Sequence, residues 1–377
     1  MQNTYMKKIM LVFGTRPEAI KLCPLVKELE KYTDKFKTIV CVTAQHRQML
    51  DQVLKIFDII PDYDLNLMKN DQSLFDVTSE CLIKTGEIIE KEKPDIVLVQ
   101  GDTTTTFAAA LAAYYNKVKI GHVEAGLRTG NKYSPFPEEM NRKLTTGIAD
   151  IHFAPTQKSE GNLLSEGVSE ENIIVTGNTV IDALLWVRRK IQDEKKEYKE
   201  LDGIDFTKKI ILVTGHRREN FGQEFTNICH ALKEIATKHS DIEIAYPVHL
   251  NPNVRKPVYK LLSGIHNIKL IEPLNYEPFV YLMDKSYFII SDSGGIQEEA
   301  PSLGKPVLVT RNTTERPEAV NVGAVKLVGT VPDRIVIEAE KLLNDNDCYA
   351  KMSKVQNPYG DGRACKRIID SLDRFLH

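Results

Sequence analysis

Short aliphatic and β-branched runs alternate along this chain with longer amphipathic or alanine-rich segments. KKIMLVFG (residues 7–14) predicts a buried strand, PEAIKLCPLVKELEKY the helix after it, and FKTIVCVTA a second strand. PDIVLVQGD (94–102), VKIGHVEAG and DIHFAPT predict three more, with TTTTFAAALAAYY as a helix after the first of them. The pattern then resumes. NIIVTGN leads into the helical TVIDALLWV, and KKIILVTGHRREN repeats the opening theme of strand, glycine turn and arginine. IEIAYPVHL, NIKLIEPL, SYFIISDSGG and KPVLVT complete the set. Alternation of this kind predicts an α/β fold with parallel sheets covered on both faces. Residues 188–200, RRKIQDEKKEYKE, are charged at ten of thirteen positions and read as a solvated helix or linker.

At about 150 residues per domain, the 377 residues suggest two domains. Two α/β stretches of similar size point to two Rossmann-like domains facing each other across a cleft. The boundary is placed at residues 176–182, giving domains 1–177 and 178–360, with the charged stretch at 188–200 as the alternative. A net charge of −2 argues against a basic nucleic-acid footprint. The longest uncharged stretch, 103–116, opens with four threonines and falls short of the roughly 20 apolar residues of a membrane span. The N-terminal apolar run leads into Arg and Pro and does not read as a signal peptide. Cys23, Cys41, Cys81, Cys229, Cys348 and Cys365 form no CxxC pair. Free thiols in a chain of this size fit a reducing, cytoplasmic setting better than a disulfide framework or a zinc site.

Ligands of open α/β sheets bind past the carboxyl ends of the strands. The first half offers Arg16, Asp102 and Glu124 there, and the second His216, Arg217, Arg218, Ser293, Gly294 and Gly295. The turn SDSGGIQEEAPSLGKPV reads either as an anion cradle at a helix start or as an ordinary strand–helix turn capped by Ser. Glu298 and Glu299 could accept ribose hydroxyls or simply favour a helix start. GTRPEAIK supplies Arg16 and Lys21 for phosphate, or a surface Arg beside a Pro-started helix. His216 could donate to a leaving phosphate, or be a hydrogen-bonded loop histidine. Asp102 reads as a helix N-cap or a catalytic acid. Glu124 follows an apolar strand and precedes Ala-Gly-Leu, so it is expected to be partly buried and functional. Glu138 and Glu139 sit where a proline-rich loop enters a helix. TAQHRQML and PVHLNPNVR add His46, Arg47, His249 and Arg255 as weaker candidates. GxGxxG, Walker A, HExxH and GxSxG patterns do not occur, so no nicotinamide fingerprint, metal motif or serine-hydrolase elbow is present.

GTRPEAIK, QGDTTTT, GHVEAGLRTG, SPFPEEMNR, GHRREN, SDSGGIQEEAPSLGKPVLVTRNTTERPEA and NPYGDG, in that order, resemble the non-hydrolysing UDP-N-acetylglucosamine 2-epimerases. The resemblance runs from about residue 8 to the C-terminal helix. It implies a GT-B-like fold with the nucleotide in the cleft, held mainly by the second domain. It implies that the last helix, 363–376, returns to pack on the first domain. The implied reaction interconverts UDP-GlcNAc and UDP-ManNAc without cofactor or metal. UDP is eliminated to give 2-acetamidoglucal and is then added back with the proton on the opposite face.

By motif, Asp102, Glu124 and Glu138 form the acid–base and cation-stabilising group, and His216 assists the leaving phosphate. Arg16, Lys21, Ser293, Gly294, Gly295 and Arg316 are expected on the UDP, with Glu299 on the ribose and Pro273 and Phe279 bordering the uracil. The resemblance also implies an activating second UDP-GlcNAc at Gln45, Gln48, Gln72, Glu138, Arg217 and His249. It further implies a cytoplasmic homodimer feeding cell-surface polysaccharide synthesis, with neither nucleic acid nor membrane as partner. A hydrolysing relative that releases ManNAc and a GT-B glycosyltransferase are the alternatives, followed by a sensor that only binds.

Overall fold

Each half of the chain builds one all-parallel sheet. The computed structural model describes residues 6–44, 47–69 and 71–376. In the first sheet β1 (Lys7–Phe13), β2 (Phe36–Val42), β3 (Tyr63–Asp64), β4 (Ile96–Gln100), β5 (Lys119–Val123), β6 (Ile151–Ala154) and β7 (Ile173–Val175) lie in the order β3-β2-β1-β4-β5-β6-β7. The second contains β8 (Lys209–Thr214), β9 (Ile242–Pro247), β10 (Ile268–Ile271), β11 (Phe288–Ser291), β12 (Val307–Val309) and β13 (Val325–Leu327), ordered β10-β9-β8-β11-β12-β13. Counted from its own first strand, each sheet contains the 3-2-1-4-5-6 Rossmann order, to which β7 adds one more strand. In each sheet the chain direction of growth reverses at one point, between β1 and β4 and between β8 and β11.

Burial on both faces explains why the strands read as apolar runs rather than as alternating ones. All five residues of β4 are buried, as are the last five of β1. The helix Thr104–Tyr115 buries Ala108, Ala109, Ala110, Ala112 and Ala113, whose small side chains let it lie close on the sheet. In the second sheet Ile211, Val213, Ile244, Phe288 and Ile290 pack against Phe225, Leu232 and Ile235 of the helix Gln223–Lys238. Two strands escape the hydrophobic pattern, β3 and β13. They contain two and three residues, too few to show a period, and each sits at a sheet edge.

Contacts divide the chain into two compact units, Met1–Trp186 with Gly360–His377, and Val187–Tyr359. The division falls inside the helix Thr179–Glu194, past the expected boundary, because residues 178–186 pack with the N-terminal unit. Trp186 stacks on Phe57 at 4.6 Å between ring centroids. The charged stretch continues that helix to Glu194, where Lys195 turns with φ 48°.

The C-terminal helix Ala364–Leu376 belongs to the N-terminal unit. It buries Cys365, Ile368, Ile369 and Leu372, one face of a 3.6-residue period, and lies against the helix Arg16–Leu29. Asp182 fixes its start by accepting from the N–H groups of Ala364 (3.1 Å) and Cys365 (3.0 Å). Arg367 donates to the Thr176 carbonyl at 3.0 Å, and Lys35 pairs with Asp373 at 2.7 Å.

His122 and His152 are neighbours in register on β5 and β6, and both are buried. Burial pushes each imidazole down to about 4. Between pH 6.5 and about 4 the unfolded chain therefore binds two protons that the folded chain refuses. Stability is full above pH 6.5 and falls as pH drops through that window, with a limiting slope of about 1.4 kcal/mol per pH unit for each histidine. Urea denaturation at pH 7 and pH 5 measures this loss. Replacing His152 by Asn is expected to shrink the difference, and an unchanged difference would mean that the ring is protonated in the fold.

Candidate active site

The residues just past β1 and β4 converge at the first switch point. The chain leaves β1 at Gly14, where a Cβ would lie 1.9 Å from Thr43 Oγ1 and 2.8 Å from Thr105 Oγ1, so only glycine fits. Glu18, 1% exposed, joins the two loops. Its Oε2 accepts from the N–H groups of Gly14 (3.1 Å) and Thr15 (2.7 Å). Its Oε1 accepts from the hydroxyls of Thr103 (2.6 Å) and Thr106 (3.3 Å). Burial raises its carboxyl pKa, and these hydrogen bonds oppose the rise.

Asp102 follows directly. Its reading as a helix N-cap fails, because Thr103 takes that position and its hydroxyl accepts from the N–H of Thr106 at 3.2 Å. The Asp102 carboxylate instead accepts from Arg142, while its main-chain carbonyl accepts from Asn141 Nδ2 at 2.9 Å. Both partners stand on the helix Glu138–Ile148. Of the two acids that open this helix, Glu139 is structural. It is fully buried and accepts from the N–H groups of Thr129 (3.1 Å) and Gly130 (3.0 Å) and from Arg142 (3.0 Å). Those donors hold its carboxyl below the ordinary range against the opposing pull of burial, the largest single influence. Glu138 keeps Oε2 buried without a hydrogen-bond partner.

Glu124, immediately after β5, is 7% exposed and adopts φ 62°. The left-handed region costs a non-glycine residue about 1–2 kcal/mol, so the surroundings must hold it there. They do so through the side chain. Lys21 approaches Oε1 at 2.6 Å and Oε2 at 2.5 Å, Gln100 donates to Oε2, and Asn178 donates to Oε1 at 3.4 Å. Lys21, expected on the phosphates, is thus placed on the carboxylate cluster. Arg16 is half-buried at the first position of its helix.

In the C-terminal unit the second switch point is joined by Asp292, which is fully buried at the end of β11. Across the gap it accepts from the N–H groups of His216 (2.9 Å) and Arg217 (2.8 Å) and from Asn220 Nδ2 (3.3 Å). The His216 ring is exposed, with Nδ1 3.4 Å from Asp292 Oδ1, and stacks on His249 at 5.7 Å. Partial burial pushes its imidazole below the ordinary value. Asp292 opposes that shift, while Arg217 and His249 add to it.

Ser293 is the N-cap of the short helix Gly294–Glu299, with Gly294 buried and Gly295 exposed. A Cβ on Gly294 would lie 3.6 Å from the Arg217 guanidinium, which keeps Nε buried and without a partner. Glu299 is 8% exposed and accepts from the Tyr276 hydroxyl at 3.0 Å. Glu298 pairs with Arg316, so that arginine is engaged with a carboxylate beside the turn. Pro273 is exposed after β10, and Phe279 is half-buried on the helix Tyr276–Lys285.

Of the residues expected at a second nucleotide-sugar position, Gln45 lies outside the described residues. Gln48 is exposed on the helix Arg47–Ile56, and Gln72 keeps Nε2 buried without a partner. Among the described residues, no group of three His, Cys, Asp or Glu side chains could hold a metal ion, and no helix is long and apolar enough to cross a membrane. Sequence reasoning missed Glu18, Gln100, Arg142, Asn178 and Asp292. All five lie inside or beside segments already singled out, and each has at least one partner far along the chain: Thr103 for Glu18, Glu124 for Gln100 and Asn178, Asp102 for Arg142 and the His216 N–H for Asp292.

Two Rossmann-type sheets, each with a carboxylate-tied switch point, make this a GT-B-like α/β protein. The sequence profile of UDP-N-acetylglucosamine 2-epimerase matches residues 27–373, and the chain belongs to that family. It is 60% identical over 378 residues to UDP-N-acetylglucosamine 2-epimerase of Campylobacter jejuni, covering 97% of each chain. The crystal structure of UDP-GlcNAc 2-epimerase from Neisseria meningitidis bound to UDP-GlcNAc superposes with a TM-score of 0.87 at 53% identity, covering 97% of this chain and 100% of that one. A putative UDP-N-acetylglucosamine 2-epimerase from Listeria monocytogenes gives a TM-score of 0.93 at 49% identity, covering 99% and 97%.

The Asp292 charge favours the protonated form of His216, so its removal disfavours that form. Asp292→Asn is expected to lower the His216 titration midpoint further, as followed by histidine ring NMR. A rise would show that the carboxylate does not act on the ring as a charge.

Proposed function

We propose that this chain catalyses the reversible, non-hydrolysing C2 epimerisation of UDP-N-acetylglucosamine to UDP-N-acetylmannosamine. The observation that carries the chemistry is the Glu124 carboxylate, strained at φ 62° and ion-paired with Lys21 one strand away from Asp102. Full-length likeness to enzymes named for this reaction supplies the substrate.

The C2 proton of the sugar is not acidic, and no nicotinamide fingerprint is present to make it so by oxidation at a neighbouring carbon. Elimination supplies another route. A carboxylate takes the C2 proton, the C1–O bond breaks with its electron pair going to the β-phosphate oxygen, and C1=C2 forms as 2-acetamidoglucal. Re-addition delivers a proton to the opposite face of C2 and returns the UDP oxygen to C1. Positive charge builds at C1 as the bond opens, and Asp102, Glu124 and Glu138 are the groups that stabilise it and exchange the protons. Arg142 and Lys21 pair with two of these carboxylates and hold them in place for the sugar.

His216 is held near Asp292 with its imidazole disposed to be neutral. A diphosphate beside the ring raises its proton affinity, so it takes up a proton in the complex and donates to the leaving oxygen. Arg16 and the Ser293-Gly294-Gly295 turn receive the phosphates, with Glu299, aimed by Tyr276, on the ribose. Pro273 and Phe279 border the uracil.

The same reading includes a cytoplasmic location, to which the free cysteines are suited, and a homodimer. It also includes an activating second UDP-GlcNAc.

Incubation with UDP-GlcNAc alone in deuterated water, followed by NMR, tests the reaction. UDP-ManNAc carrying deuterium at C2 is expected. Free ManNAc would instead favour a hydrolysing enzyme, and no change without an acceptor would favour a glycosyltransferase. Asp102→Asn and Glu124→Gln are each expected to lower kcat by about 10²–10⁴-fold while UDP affinity, measured by calorimetry, stays close to that of the parent. Near-normal turnover in a folded variant would remove that residue from the mechanism.

A further inference from the structure

The C-terminal unit holds a second concave feature that the epimerase reading does not use. A cavity of about 300 Å³ lies between residues 188–197 and the helix Tyr276–Lys285. Arg188, Lys195, Lys196 and Lys285 line it, against Glu197 and Asp284. Two of the cations are already paired. Arg188 meets Asp284 at 3.0 Å, and Lys196 meets Glu277 at 2.8 Å and Glu194 at 2.7 Å. Lys195 and Lys285 have no ion-pair partner among the described residues, and both are exposed.

Tyr281 forms an aromatic wall, fixed by Tyr198 at 5.3 Å and by the edge of Phe206 at 5.7 Å. Lys285 Nζ stands 5.7 Å over that ring. Nearby, Lys305 has its ammonium pushed below the ordinary range, mainly by burial, with Arg188 and Lys285 adding to the effect and Asp284 opposing it. Four cations line the cavity itself against two lining carboxylates, while Glu194 and Glu277 reach Lys196 from outside the lining.

Because a water occupies about 30 Å³ of liquid volume, the cavity has room for a small organic molecule rather than one ordered water. A concave site with surplus ammonium groups, a guanidinium held in place by its own carboxylate and a ring along one side matches a phosphoryl group on a compact polar body. We infer that this cavity binds the phosphoryl group of a small anionic metabolite, separately from the nucleotide.

The test uses the full chain saturated with UDP, so that the proposed diphosphate position is filled, in chloride buffer of constant ionic strength. Inorganic phosphate and glucose 6-phosphate are titrated separately by calorimetry into the parent and into the double variant Lys195→Gln/Lys285→Gln. Both substitutions are on exposed side chains outside the catalytic set and should leave epimerase turnover unchanged.

Saturable binding of at least one probe is expected, weakened about fivefold or more in the double variant, a loss of roughly 1 kcal/mol. Tighter binding of the sugar phosphate would identify an ester as the ligand, and equal binding would identify free phosphate. Saturable binding of neither probe, or equal affinity in parent and variant, would overturn the assignment. Because the comparison is between variants, this outcome is independent of whether the substrate reading above holds.

Discussion

At the switch point of each sheet one buried carboxylate ties two loops together. In the N-terminal unit Glu18 gathers two main-chain amides after β1 and two threonine hydroxyls after β4. In the C-terminal unit Asp292, after β11, gathers two amides and a side-chain amide from the loop after β8. Parallel strands that part at a reversal leave their following loops without a ladder between them, and main-chain N–H groups there need acceptors. A buried carboxylate supplies several at once, each charge-assisted bond contributing about 1.5–3 kcal/mol. The desolvation of the carboxylate is the opposing cost, visible in the raised pKa of Glu18. Asp102 immediately precedes the Glu18-bound Thr103 in the one unit, and in the other the main-chain N–H of His216 is held by Asp292.

From those fixed loops the functional groups are aimed by opposing charges. Arg142 bridges Asp102 and Glu139, so a fully buried acid anchors the cation that orients the Asp102 carboxylate. Lys21, Gln100 and Asn178 together hold Glu124 against its unfavourable backbone. The result is a pair of carboxylates whose positions are fixed by cations and amides within the same unit. In the other unit the helix Tyr276–Lys285 has two uses. Tyr276 at its start fixes Glu299, while Tyr281 and Lys285 towards its end border the basic cavity.

Much of this was legible in the residues. The apolar runs of β1, β4, β8 and β11 are unbroken because both sheet faces are covered, and motif order alone pointed to the family. Glu124 stood out because it follows an apolar strand and precedes small residues. Less legible were β3 and β13, too short to show a period, and the helix start at Asp102. There Asp and Thr are both good caps, and only the geometry shows that Thr103 takes the role. Lys21 likewise read as a phosphate ligand because its spacing from Arg16 says nothing about a carboxylate 103 residues away.

The sequence by itself determined the strand–helix alternation, the places where each strand ends and the identity of the polar residues that follow, since these depend on local period and composition. Tertiary structure decided which partners each acid meets. Glu18, Glu139 and Asp292 differ from Glu124 and Asp102 only in the donors that the folded chain brings to them. The Thr15-x-x-Glu18 capping box is a local pattern that a sequence can show, but the donors on Asp292 and the threonine hydroxyls on Glu18 come from distant segments, and no local pattern encodes those hydrogen bonds.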